Sequence, residues 1–190
     1  YASGERYEKI DSLPNIEKLK NKGFEVLYLT DDVDEFALKM LGKYADKEFK
    51  NVSDEALDIT SDEEKEKVKE KNESSEALLK FIKEEIAEVN EVRFTNKLKN
   101  HPVCLTSEGM LSLEMEKVLS AMPGENKAKA TVVLEINRDH EIAEKLKAIY
   151  TEDKEKAAKY AKILYSQGCL IAGKSIENPT EFTQLITELM

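Results

Sequence analysis

The stretch KGFEVLYLTDDVDEFALKML, Lys22–Leu41, decides the fold. Gly23 is a natural helix stop, and the apolar run Val26, Leu27, Tyr28 and Leu29 directly after it reads as a buried parallel strand. Carboxylates from Asp31 to Asp34 then stand where a helix N-terminus favours negative charge, so capping is the plain reading of that cluster. A helical run follows over DEFALKMLGKYADKEF. Working outward, YAS reads as a strand, ERYEKIDSL and PNIEKLKNKG as helices, and a short strand over Phe49 to Val52 completes the layer. The alternation predicts a small β/α layered subdomain.

From Leu57 to about Ser75 the chain is nearly all charge, and this marks the domain boundary. Glu and Lys at helical spacing support a solvated helix there, with a disordered linker as the alternative. Beyond it, ALLKFIKEEIAEV places Leu78, Leu79, Ile82, Ile86 and Val89 on one helical face. Strand signals follow in EVRFTN, PVCLTS and TVVLEIN, and helical runs in HEIAEKLKAIY, DKEKAAKYAKILYSQGCLIAG and PTEFTQLITELM. The expected fold is therefore mixed α/β and α+β: a β/α layer, then helices with a short sheet, ending in a helical bundle.

The chain has 190 residues, 29 Lys and Arg against 39 Asp and Glu, and a net charge of -10. That charge repels phosphate backbones and anionic lipid heads, so neither nucleic acid nor a membrane surface is an expected partner. No stretch is apolar for long enough to span a bilayer. Cys104 and Cys169 lack a CxxC or zinc-like spacing and read as reduced thiols of a cytoplasmic protein. The opening YASGERYEKI, without Met or a basic-then-apolar leader, reads as part of a longer polypeptide.

Chemistry-bearing patterns are missing from this reading. None of the seven glycines forms GxGxxG or GxxxxGKS, so no phosphate cradle is expected. His101 and His140 lie in different elements without an HExxH pattern, which gives metal ligation no support; His140 is expected in the first turn of a helix. No catalytic residue, cofactor or metal is assigned.

The segment EGMLSLEMEKVLSAMPG, Glu108 to Gly124, holds three of the five methionines. On one helix, Leu111, Met115, Val118, Leu119 and Met122 form a stripe, with Glu114, Glu116, Lys117 and Ser120 flanking or opposing it. Such a stripe ordinarily faces its own core. Methionine, flexible and polarisable, specifies a core poorly and suits a surface that accepts varied partners. Pro123 and Gly124 close the segment.

The runs KGFEVLYLTDDVDEFALKML, VRFTNKLKNHPVCLTSEGMLSLEMEKVL and LEINRDHEIAEKL, in this order, resemble the HtpG family of bacterial ninety-kilodalton heat-shock chaperones. The resemblance covers nearly the whole chain and is weakest over residues 58–76. It implies that residues 1–72 are the last part of a middle domain and 73–190 a C-terminal dimerisation domain. The family's ATP and magnesium site would then lie in an upstream N-terminal domain, leaving this chain without ATPase activity or cofactor. It implies client contact through Leu111, Met115, Val118, Leu119 and Met122, and through the acidic-aromatic pair Glu35 and Phe36. It also implies a homodimer through the last two helices, which present Ile163, Leu164, Leu170, Ile171, Phe182, Leu185, Ile186 and Leu189. With no acidic tail at Met190, a tail-reading co-chaperone is not expected. The alternative role is a purely structural dimerisation and linker module with the methionine helix buried.

Overall fold

The computed structural model describes residues 1–54, 57, 59–123 and 128–190. The chain begins with β1 (Ala2–Ser3), α1 (Tyr7–Asp11), α2 (Pro14–Asn21), β2 (Tyr28–Leu29), α3 (Asp34–Leu41), β3 (Lys43–Tyr44) and β4 (Lys47–Glu48). It continues through α4 (Asp62–Ser74), α5 (Glu76–Glu85), β5 (Glu91–Thr95), β6 (Val103–Glu108) and α6 (Leu113–Ala121). It ends with β7 (Thr131–Asn137), α7 (Glu141–Glu152), α8 (Lys154–Ile171) and α9 (Pro179–Leu189). Two compact units result: residues 1–59 with 106–132, and residues 60–105 with 133–190. This division falls at 59/60 rather than at the expected 72/73, and it returns the methionine segment to the first unit.

In the first unit β1 and β2 pair in parallel, Ala2 opposite Tyr28 and Ser3 opposite Leu29. The parallel pairing expected of the Val26–Leu29 run is present, but its burial is not. Only two residues pair, and Leu27 is 56% exposed. The core instead gathers Ala2, Ile10, Ile16, Leu19 and Val52, packed by Leu13, Val26 and Tyr28. Asn15, itself buried, donates its amide to the Val52 carbonyl at 3.1 Å and pins α2 to this core.

The expected long helix stops early. Gly42 takes φ 69°, a left-handed geometry that ends α3 at little cost only for glycine. The chain then turns through Ala45 (φ 46°) and Asp46 (φ 64°) into the antiparallel β3–β4 hairpin, the two positive φ values matching the right-handed twist of a hairpin. The strand expected over Phe49 to Val52 is absent; Val52 N–H donates to Tyr1 O instead.

In the second unit the charged boundary is a helix with none of its residues buried. Its start is a capping box: the Glu64 N–H donates to the Ser61 hydroxyl at 3.3 Å, and the Ser61 N–H donates to the Glu64 carboxylate at 3.0 Å. Asn72 attaches it, donating to the Phe94 carbonyl at 3.1 Å and accepting the Phe94 N–H at 2.8 Å. Leu78, Leu79 and Ile82 are buried on one face of α5, as their spacing predicts; Ile86 and Val89 are buried too, but beyond the helix, which ends at Glu85 with Ile86 in extended backbone. The sheet runs β5–β7–β6, with β5 and β7 parallel and Arg93 opposite Glu135. On its way past β6, α8 brings Gly168 so close that a Cβ there would lie 3.1 Å from Leu105 Cγ.

Candidate functional site

The methionine helix starts later and stops earlier than its stripe. Ser112 caps α6, its hydroxyl accepting the Met115 N–H at 3.1 Å. Leu111 therefore precedes the helix, and Met122 follows it in extended backbone at φ -73°, ψ 148°. Gly124 lies outside the described residues. Met115 is 9% exposed and Leu113, on its neighbouring face, 7%. Leu111, Val118 and Leu119 are half-buried, while Met122 is 52% and Met110 86% exposed. The expectation of a single exposed stripe is corrected accordingly: Met115 faces its own unit, because the cap holds the first turn of α6 against that unit, and the open apolar surface lies at the two ends of the segment.

Polar contacts hold α6 in place. Lys117 bridges Glu5 at 3.0 Å and Glu114 at 3.3 Å. The Ala130 N–H donates to the Glu116 carboxylate at 2.9 Å. Lys9 and Lys117 together hold the Glu5 carboxyl down at about 2, while burial raises that of Glu114 against the pull of Lys117.

Glu35 and Phe36 differ from expectation in opposite ways. Phe36 is half-buried and lines a shallow cleft of the first unit with Leu29, Met115 and Val118, and with Asp31, Asp32 and Glu114 at hand. Two contacts kept separate in the sequence, the Glu35–Phe36 pair and the helix residues Met115 and Val118, thus line one cleft. Glu35, however, is 3% exposed. Its carboxylate accepts hydrogen bonds from the Ser3 and Ser112 hydroxyls at 2.8 Å each, from the Asn51 amide at 2.7 Å and from the Tyr1 hydroxyl at 3.5 Å. It is therefore corrected from a surface contact to an internal one, since those donors replace the water a carboxylate would otherwise need.

The terminal helices divide likewise. Ile163 and Leu164 are 9% and 4% exposed, inside their own unit, which removes them from any partner contact. Leu170 is 56% exposed, and Ile171, Phe182, Leu185, Ile186 and Leu189 are half-buried. Although α9 is amphipathic, none of its residues is buried. Its apolar side also faces a groove lined by Ile86, Tyr165, Cys169, Phe182 and Leu185.

Sequence reading missed Glu135. It lies on β7 with 0% exposure, its Oε1 bound by Arg93 at 2.5 Å and Lys97 at 3.4 Å, and its Oε2 facing the Cys104 thiol at 3.8 Å. An acidic residue in the middle of the apolar run TVVLEIN was the available signal. A carboxylate at a strand's core position has to find cations, and the parallel register supplies Arg93 directly opposite. His140 is the N-cap of α7 rather than a first-turn residue, its Nδ1 accepting the Ile142 N–H at 3.1 Å. Among the described residues no three His, Cys, Asp or Glu side chains gather as a metal site, and no helix is long and apolar enough to cross a membrane.

The chain, with its parallel β1–β2 pair, the capped helix α6, the three-stranded sheet and the closing helices α7 to α9, is matched along its whole length by one family model, Hsp90 protein, over residues 1–190. The chain belongs to the Hsp90 family. Relatives named chaperone protein HtpG are 51% identical in Clostridium acetobutylicum, 48% in Clostridium perfringens and 47% in Bacillus velezensis. Each match covers all of this chain and 30% of the relative's length.

These matches correct two expectations. A chain without ATPase activity and without a cofactor was expected, from its glycines and from the implied position of the ATP and magnesium site. Residues 1–190 match the Hsp90 model throughout while spanning only 30% of the chaperones they resemble. The pattern of seven glycines in this stretch therefore does not separate the chain from the family's ATP chemistry, and neither expectation holds.

Proposed function

We propose that this chain gives a cytoplasmic Hsp90-type chaperone two of its working surfaces: an apolar one around α6 that holds partly folded clients, and a homodimer contact on the terminal helices. Residues 1–72 act in this reading as the end of a middle domain and 73–190 as the dimerisation domain. The observation that carries it is the open apolar side chains flanking α6, Met110 at 86% and Met122 at 52% exposure, next to half-buried Leu111, Val118 and Leu119. Soluble proteins seldom leave such side chains grouped without a partner. Adhesion there would gain about 25 cal/mol for each Å² removed from water, less the cost of ordering flexible side chains, which makes each contact weak and release easy.

Replacing Leu119 and Met122 together with Ser in the intact protein tests it. Suppression of aggregation of a chemically unfolded client falls severalfold while the melting temperature moves by no more than about 4 °C, the shift that roughly 1 kcal/mol gives a domain of this size. A second reading, a structural dimerisation and linker module, is favoured by the burial of Leu113 and Met115. Under it the same substitutions leave client protection per folded molecule unchanged, while Met115→Ser, at a buried position, costs about 2–5 kcal/mol of stability, as core truncations do.

A further inference from the structure

Ser112 is 4% exposed, and its hydroxyl has one proton and two acceptor positions. The proton goes to Glu35 Oε2 at 2.8 Å, while the oxygen accepts the Met115 N–H at 3.1 Å. One side chain thus starts α6 and ties that start to the buried carboxylate of α3, 77 residues away in sequence. Lys39 of α3 adds a second tie by donating to the Met110 carbonyl. Leu113 and Met115, in the first turn that Ser112 caps, are buried.

We propose that Glu35 is a positioning residue, the fixed half of a latch that holds α6 down on its own unit and keeps the Leu113–Met115 side covered. The moving half is Ser112. When that hydrogen bond opens together with the Lys117–Glu5 bridge and the Ala130–Glu116 contact, α6 lifts as an intact, still-capped helix, and Met115 joins Val118 and Leu119 on one apolar face. Covering that face limits self-association of a chain that otherwise carries sticky side chains. The four donors around Glu35 make the closed form favourable, because a buried carboxylate that loses one of them is left poorly solvated. This latch rests on the client-holding reading of α6 for its use, though not for its existence.

The methionines supply their own test. Met40, Met110, Met122 and Met190 are between 52% and 100% exposed, whereas Met115 is 9%. In the intact protein treated with hydrogen peroxide, Met115 sulfoxide forms far more slowly than the other four. Ser112→Asp keeps a good N-cap but sets a carboxylate against Glu35, so Met115 oxidation rises about tenfold while helicity and exchange protection at Ile16 in α2 are retained. Pairing Ser112→Asp with Glu35→Gln, whose amide can donate to the new carboxylate, restores slow oxidation; a merely structural role for Glu35 would make the pair worse than either single change. Should Ser112→Asp fail to fold, Glu35→Gln alone raises Met115 oxidation less, in the same direction. Met115 oxidation unchanged in both single variants, or raised only together with loss of protection at Ile16, overturns the latch. Faster Met115 oxidation without better client holding supports the latch and removes Met115 from the client surface. Unchanged oxidation alongside client protection lost on changing Leu119 and Met122 overturns the latch and leaves the client reading standing.

Discussion

Cys104 is 2% exposed, and burial first, then the negative charge of Glu135, pushes its thiol well above the ordinary value of 9.0. A thiol that keeps its proton in the fold but loses it in the unfolded chain makes unfolding release a proton at alkaline pH. Its contribution to stability is therefore complete below about pH 9 and declines as pH rises toward the higher folded value, by up to about 1.4 kcal/mol per pH unit. Urea unfolding from pH 7 to 10.5 is expected to show this alkaline slope, reduced in Cys104→Ala. The native thiol is expected to resist alkylation at pH 8, since the thiolate is the reactive form. Equal slopes for the two proteins would show that the thiol does not sense Glu135 and its burial. The same residue scale explains why Glu35 was misplaced from sequence. An acidic residue at the start of a helix looks like capping or a wet surface, and nothing local reveals that Ser3, Asn51 and Ser112 converge on it from three other parts of the chain.

Among the elements, α4 is the clearest case of local chemistry deciding structure. It has no buried residue, so its capping box and i,i+4 pairs such as Lys69–Glu73 carry what tertiary packing does not. Ser61→Ala is expected to cost about 1 kcal/mol. Because α4 meets its unit mainly through Asn72 and Lys71, that loss is expected to appear as faster amide exchange within residues 62–70 and hardly in the buried face of α5. Loss spread evenly over the unit would mean that α4 and α5 open together. The elements also show what sequence made legible. Helical spacing placed α7, α8 and α9 and the body of α5, which ends at Glu85, short of Ile86 and Val89, and apolar runs bounded by turn residues placed β5, β6 and β7. The misses fall where backbone conformation overrode pattern: the stop at Gly42, the tight turn at Ala45–Asp46, and the cap at Ser112 that left Leu111 and Met122 off the helix. Periodicity also cannot say which side of a stripe meets another element, and so it did not separate buried Met115 from exposed Met122.

At the scale of the whole molecule, each compact unit carries an exposed apolar region, around Met110 and Met122 in the first and around Leu170 in the second. The terminal one should find a second copy of the chain: α9 has an amphipathic sequence and no buried residue, and Leu170 beside it is open. Sedimentation of the intact protein at micromolar concentration is expected to give a dimer, and Leu185→Ser with Ile186→Ser a monomer with its secondary structure retained. A monomer without any substitution would remove the dimer contact from the account. Two copies would set two α6 surfaces at high local concentration for a client already held by one of them. The central claim is that clients adhere at α6, and the most direct measurement is amide exchange of the intact protein with and without an unfolded client. Slower exchange over residues 118–123 on adding the client is the expected result. Unchanged exchange there, with slowing confined to other segments, would contradict it.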